Sequence, residues 1–338
     1  MSPAALADAL LAGDQRALAR AISVIEDRRP GHRELLARLH EHRGGAAVIG
    51  VTGSPGAGKS TLVDKLAAAY RERDRTVGVV AVDPASPFSG GAVLGDRVRL
   101  GSTGGDMDVF VRSMSARGSL GGLSAATTDA VAALDAFGKD RIIVETVGAG
   151  QNEVDIVRTA DTVVVLVAPS SGDAVQTLKA GILEIGDVFV VNKADLPGAD
   201  RTVRDLREMV HMAGDRVGSH RDGEEGRGWT PPVVETVATE GEGVGDLLDA
   251  IDDHRAYLED SGLLEERTRE RYAEEIRTLL REDAGRLVEA ELAARGGIDA
   301  YVDRILAGET TPYDVVEELI EPFERAVEGA SGAPNDTP

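Results

Sequence analysis

Two short segments carry residue types whose spacing could do chemistry on a nucleoside triphosphate. The first is GSPGAGKS, Gly53 to Ser60, which fits G-x-x-x-x-G-K-[ST] between an apolar run and a helical segment. Gly53, Gly56 and Gly58, spaced by Ser54, Pro55 and Ala57, let the backbone curl so that successive N–H groups point at a phosphate. The helix expected from Thr61 to Tyr70 adds its positive end. Lys59 can reach the β- and γ-phosphates, and the Ser60 hydroxyl can ligate Mg²⁺. The second segment is NKAD, Asn192 to Asp195. A carboxylate at Asp195 can accept the ring N–H and the exocyclic amine of guanine. Adenine offers neither donor there and would leave the carboxylate unpaired. The stem of Lys193 can lie across the base, and Asn192 can tie the loop to its surroundings. Thr236, Val237 and Ala238 are the residues expected to supply a backbone N–H to the guanine carbonyl.

Acidic residues fall between these motifs. Asp83 ends the run Val77–Val82, a place where carboxylates hold Mg²⁺, often through water. Glu145 ends Ile142–Val144 and opens ETVGAGQ, in which Gly148 would let a backbone N–H approach the γ-phosphate. Either acid could instead cap a turn. Asp96, in SGGAVLGDRVR, reads as a switch carboxylate or as a solvated loop charge. No arginine finger stands out: Arg99, Arg112 and Arg117 lie near switch-like segments, and each could equally pair with a carboxylate.

Positioning such groups requires a sheet. The runs Ala47–Val51, Val77–Val82, Ile142–Val144, Val163–Val167 and Val188–Val191, with a further strand around Val233–Val234, are rich in Val and Ile. They are bounded by Gly, Asp or Pro, as buried parallel strands are. Their alternation with amphipathic segments predicts an α/β fold with a doubly wound, mostly parallel sheet over residues 45–255. Residues 1–44 read as a helical extension, with Asp14 as a start signal and Leu18, Ile22 and Ile25 at helical spacing. Residues 256–330 read as helical again. Tyr272, Ile276, Leu279, Leu280, Leu287 and Val288 form one stripe. A helix starting at Thr311-Pro312 carries Val315, Val316, Leu319, Ile320 and Phe323 on one face. The Gly-rich stretch Gly214–Pro232 is expected to be a surface loop, and residues 331–338 a disordered tail.

Composition closes off other chemistries. Lys plus Arg number 37 against 59 Asp plus Glu, a net charge of −22. So negative a chain repels phosphate backbones and argues against nucleic acid as a partner. With no cysteine there is no disulfide, thiol nucleophile, thiolate zinc site or iron–sulfur cluster. No apolar run approaches the ~20 residues that span a bilayer, and no targeting segment is evident, so a cytoplasmic protein is expected. Only Lys59, Lys65, Lys139, Lys179 and Lys193 are lysines. Few lysines, many acids and few aromatics are similar to the composition of proteins adapted to high salt, where charge repulsion is screened.

Taken together, the motifs resemble the MeaB/ArgK-type GTPases, a family that includes the methylmalonyl-CoA mutase-associated chaperone of human mitochondria. The resemblance runs from GDQRALARAISVIEDRRPGH through VTGSPGAGKSTL, AVDPASPFSGGAVLGDRVRL and VFVRSMSARGSLGGLS. It continues through ETVGAGQNEVDIV, APSSGDAVQTLKAGILEIGDVFVVNKADLPGA and ETVATEGEGV to TTPYDVVEELI. It implies a metal-dependent GTPase of the signal-recognition/MinD-like class that forms a homodimer through its C-terminal helices. It further implies that the protein gates adenosylcobalamin loading and protects or reactivates a methylmalonyl-CoA-type mutase. By motif matching, Lys59 and Ser60 contact phosphate and Mg²⁺, and Asp83, Asp96 and Glu145 serve the metal and hydrolysis. Asp173, Gln176 and Lys179, within Ala168–Lys179, belong to a switch loop facing the mutase. Two other readings remain: an ArgK-like kinase acting on a protein or small molecule, and a nickel-insertion GTPase. The second would need a metal cluster, which the six histidines do not form in sequence.

Overall fold

The structure, a computed structural model, describes residues 1–84, 101–102, 105–116, 125–146, 156, 159–169, 184–218 and 228–331. It divides into two compact units, Met1–Arg269 and Glu270–Pro338.

The first unit begins with three helices, α1 (Pro3–Leu11), α2 (Gln15–Glu26) and α3 (His32–His40). The Asp14 carboxylate accepts from the Arg16 and Ala17 amides and starts α2, as its position in the sequence predicts. Then come β1 (Ala47–Gly53), α4 (Lys59–Glu72), β2 (Val77–Pro84), β3 (Val109–Ala116), α5 (Ala125–Ala136), β4 (Arg141–Thr146) and β5 (Thr162–Val167). The unit continues with β6 (Val188–Asn192), α6 (Ala199–Gly218), β7 (Val233–Thr236) and α7 (Val244–Asp260), and α8 (Leu263–Ala294) starts within it.

The seven strands form one sheet in the order β3-β2-β4-β1-β5-β6-β7, with every pairing parallel. The chain therefore winds both ways from β1, which lies between β4 and β5. The crevice at the carboxyl end of β1 is the topological switch point, where doubly wound sheets bind ligands. Each residue of β1, β5 and β6 is buried, which explains why these strands read as continuous apolar runs rather than alternating ones. One face of the sheet packs on α5 and α6 in a core that also takes Leu10, Leu18, Ile22 and Leu35 from α1–α3. The other face packs on α4 and α7 through Leu62, Val63, Leu66, Leu247 and Ile251.

Three features differ from the sequence reading. Strand β3 has no apolar run: Arg112 and Ser113 interrupt VFVRSMSA, because it is an edge strand with a polar tie to the N-terminal helices. Arg112 Nη2 donates to Glu26 Oε2 at 2.6 Å and to Ser23 Oγ at 3.2 Å, so this arginine is committed to a structural pair. Helix α6 runs on to Gly218, so the expected loop from Gly214 is helical at its start. At its other end, Trp229 Nε1 donates to the Asp187 carbonyl at 2.7 Å and so pins that segment to the sheet.

In the second unit, α8 continues to Ala294, followed by α9 (Gly297–Leu306) and α10 (Pro312–Ser331). Thr311 and Asp314 exchange hydrogen bonds at the start of α10, a capping arrangement consistent with the Thr-Pro signal. A small core of Tyr301, Val315 and Leu319 holds α9 to α10. The α8 stripe is not buried in the chain: Ile276, Leu280 and Leu287 are 57, 64 and 55 % exposed. Among the described residues, no helix is long and apolar enough to cross a membrane.

Candidate nucleotide site

The carboxyl edge of the sheet gathers the motif residues. β1 ends at Gly53, which has φ +138°; a Cβ there would run into the Leu166 carbonyl of β5. Gly58, at φ +93°, opens α4, and a Cβ on it would strike the Asn192 amide. Only glycine fits at either position, so the two requirements shape the loop from both ends. Lys59 is buried, and its Nζ donates to the carbonyls of Gly53 at 2.8 Å and Ser54 at 3.0 Å. The ammonium thus folds back over the loop it belongs to. Ser54 and Ala57 close a turn by backbone hydrogen bond within it, Pro55 is exposed and Gly56 lies beside open space.

On the next turn Ser60, followed by Thr61, donates its hydroxyl to Glu145 Oε1 at the end of β4. The buried Glu145 carboxylate and the Ser60 hydroxyl are far apart in sequence and meet because β1 and β4 are neighbours in register, Val51 against Glu145. Asp83 stands at the end of β2, the strand flanking β4. Asp96, Gly148, Arg99, Arg117 and the residues Asp173, Gln176 and Lys179 lie outside the described residues.

The expected base-recognition residues are joined to the loop by the side chains of Asn192 and Lys193. Asn192 is buried; its Nδ2 donates to the Ala57 carbonyl at 2.7 Å, while its Oδ1 accepts from Thr236 Oγ1 and from the Ala238 amide, both at 3.1 Å. Asn192 therefore does tie its loop to its surroundings, and it does so to both flanking segments at once. Lys193, held at φ +60°, sends its Nζ to the Gly56 carbonyl at 2.9 Å. Its stem consequently bridges from β6 to the phosphate loop. Asp195 is exposed in the following turn. The Val237 amide bonds to the Glu242 carbonyl and the Ala238 amide to Asn192, so a guanine carbonyl would have to share the Ala238 donor.

Two polar contacts here escape motif reading. Thr146 Oγ1 donates to Thr52 Oγ1 at 3.0 Å, both residues being buried. Asp64, on α4 one turn beyond Ser60, accepts from the Ser102 amide at 3.1 and 3.2 Å. Threonine in a strand signals only β-propensity, and a mid-helix aspartate looks like solvated charge. Neither carries a spacing pattern.

Chemically, the arrangement brings two lysine ammonium groups to the loop that opens a helix N-terminus, next to a hydroxyl–carboxylate pair. Such a site suits an anion accompanied by a hard cation. Lys139, the rare lysine at the other end of β4, has a different task. Its Nζ donates to the Asp108 carbonyl at 2.8 Å, and burial pushes its pKa down.

Comparison with known proteins agrees with this geometry. The family described as methylmalonyl-CoA mutase-associated GTPase MeaB matches residues 18–293. A putative GTPase of Pyrococcus abyssi is 48% identical over 309 residues, covering 91% of this chain and 93% of the relative. The GTPase ArgK of Escherichia coli is 32% identical over 275 residues, covering 80% and 81%. A crystal structure described as LAO/AO transport system kinase superposes with a TM-score of 0.64 at 25% identity, covering 95% of this chain and 97% of that one. A phosphate loop at the switch point of a parallel sheet, a guanine-type motif tied to it, and a family match over most of the length converge: the chain is a P-loop GTPase and belongs to the MeaB family of methylmalonyl-CoA mutase-associated GTPases.

Proposed function

We propose that this GTPase is a Mg²⁺-dependent chaperone that gates adenosylcobalamin loading and protects or reactivates a methylmalonyl-CoA-type mutase. The mutase association rests on the family description. The observation that carries the nucleotide chemistry is Asn192, which binds the phosphate loop and the Thr236–Ala238 segment together so that base and phosphate are sensed by one connected structure.

In this reading Lys59 turns from the Gly53 and Ser54 carbonyls to the β- and γ-phosphates, while the loop amides hold the β-phosphate. Asp195 accepts from the guanine edge, and the Lys193 stem covers the base. The Ser60 hydroxyl and the Glu145 carboxylate, two oxygen ligands already in contact, would hold a magnesium ion, directly or through water. Asp83 and Asp96 complete the acidic set by position in the sequence. A bound magnesium ion would neutralise charge on the transferring phosphoryl oxygens. By its place in ETVGAGQ, Gly148 would let a backbone N–H approach the γ-phosphate.

Nucleotide state would reach the mutase through the switch loop that the resemblance assigns to Ala168–Lys179. The exposed stripe Ile276, Leu280 and Leu287 supports a homodimer through the C-terminal helices, since apolar side chains at this spacing on an exposed face gain by pairing. Light scattering should give twice the chain mass, and I276E/L280E should give the monomer.

The decisive experiment measures GTP and ATP turnover with and without the mutase encoded in the same genome. GTP hydrolysis should exceed ATP hydrolysis, and D195N should weaken GTP binding about 10–100-fold, the worth of charged hydrogen bonds to a base edge. Turnover and binding indifferent to the mutase would end the chaperone reading while leaving the GTPase intact.

A further inference from the structure

Strands β1 and β4 pair in register from Ala47 against Arg141 to Val51 against Glu145, and Thr52 and Thr146 are the next residues of each. Thr52 and Gly53 also pair with Val165 and Leu166 of β5, while Thr146 pairs with Val82 of β2. At this end of the two strands, the Thr146 hydroxyl donates to Thr52 Oγ1. The threonines are 1 and 0 % exposed, so no water competes for this bond.

Side chains alternate along a strand. Thr52 and Thr146 face the α5 side of the sheet with Val48, Ile142 and Val144, whereas Glu145 faces the α4 side with Val51 and Ile143. The hydroxyl bond is thus behind the site, not in it. What it joins are the two backbones that carry the site. Thr52 precedes Gly53, whose carbonyl holds Lys59, and Thr146 follows Glu145, whose carboxylate holds Ser60.

We propose that Thr52 and Thr146 are positioning residues, whose hydroxyl bond ties the end of β1 to the end of β4 and so fixes Glu145 against Ser60 in the geometry that takes the metal ion of the nucleotide complex. The inference rests on the nucleotide reading above. A stability role alone would not require hydroxyls. The other residues on this face of the two strands are Val48, Gly50, Ile142 and Val144, and replacing two mutually bonded hydroxyls by two methyl groups of the same shape is close to neutral for stability. Threonine at both positions makes sense if the strand ends that carry Gly53 and Glu145 must be held together by a directional bond.

The test separates the two roles. T52V/T146V keeps the shape and leaves no hydroxyl orphaned, so its melting temperature should stay close to that of the wild type. Its affinity for Mg²⁺ should fall about 10–100-fold, as when an outer partner of a metal ligand is lost. That affinity is read at equilibrium, by titrating Mg²⁺ into the complex with a fluorescent non-hydrolysable GTP analogue. T52S/T146S keeps the bond and should retain the wild-type midpoint. The proposal is overturned if the valine pair binds Mg²⁺ within about twofold of wild type, or if the serine pair shifts as far as the valine pair. It is also overturned if the valine pair melts far below wild type, because the bond is then a stability element. Wild-type protein that binds the analogue with no Mg²⁺ dependence would instead remove the nucleotide reading itself.

Discussion

The two edges of the sheet treat charge in opposite ways. At the carboxyl edge, Lys59, Lys193 and Asn192 are satisfied by backbone carbonyls of the phosphate loop. At the amino edge, charged groups satisfy one another. Asp187, just before β6, receives His254 Nε2 at 3.2 Å, Arg267 Nη2 at 3.2 Å and the Val163 amide at 2.8 Å. Asp161, just before β5, receives Arg255 Nη1 at 2.8 Å and the Val48 amide at 2.9 Å. Thr162 Oγ1 lies 2.9 Å from His254 Nδ1, so hydroxyl, imidazole and carboxylate form a row that resembles a hydrolase triad. Yet His254 is 1 % exposed, with Trp229 against its ring at 4.9 Å, and no substrate could reach it.

The Asp187 carboxyl at this structural edge also has a shifted pKa. Burial raises the Asp187 pKa, but the His254 hydrogen bond and charge and the Arg267 guanidinium outweigh it and hold the carboxyl below its ordinary value. Perturbed titration marks function only where the group has access to a ligand. A carbonyl is a weak, exchangeable partner for a lysine, and a phosphate can replace it. A buried carboxylate pair is not exchangeable. The difference is between partners that can be exchanged and partners that cannot.

Several perturbations would break or sharpen this contrast. The largest effect is expected at the amino edge: D187N leaves His254 and Arg267 facing a neutral amide and should cost about 3–5 kcal/mol of stability. Chemical denaturation would measure it, with turnover per folded molecule unchanged. At the carboxyl edge, K59A should lower GTP turnover about 10²–10³-fold with little change in denaturation midpoint. A large stability loss in K59A, or an activity loss in D187N that exceeds its unfolding, would erase the distinction.

A smaller effect concerns pH. A carboxyl with a depressed folded pKa contributes stability above its unfolded value, near 4 for Asp. That contribution is lost as pH falls through the lower folded value. Stability should therefore hold from pH 7 to about 4 and drop below that, with a shallower drop in D187N. The mildest test is salt. With a net charge of −22, nucleotide affinity or stability should improve from low to molar KCl as the Debye length shrinks to about 3 Å. A flat response in a melting series would remove the high-salt reading of the composition without touching the GTPase.

Legibility in the sequence followed the strength of local constraint. Buried parallel strands need uninterrupted Val and Ile, so β1, β2, β4, β5 and β6 were readable, whereas β3, with Arg112 and Ser113 in mid-strand, was not. The phosphate loop was readable because Gly53 and Gly58 admit no side chain. Asn192 was recognised within its motif, but its three partners could not be, since they come from two other segments. The α8 stripe was visible as a pattern, and its exposure was not, because periodicity reports a face and not what covers it.

The amino-acid sequence by itself determined the local chemistry: a phosphate loop, a guanine-type turn, acids at strand ends, and an α/β alternation to carry them. Those are properties of short segments, set by backbone freedom, side-chain reach and hydrophobic period. Only the tertiary structure decided that β1 lies between β4 and β5. That strand order brings Glu145 to Ser60 and Thr146 to Thr52, and it sets Asp187, His254 and Arg267 together at the far edge. Such contacts join residues scores of positions apart. They follow from which strands are neighbours, a choice made by burial of the whole sheet between its helices and written in no single segment.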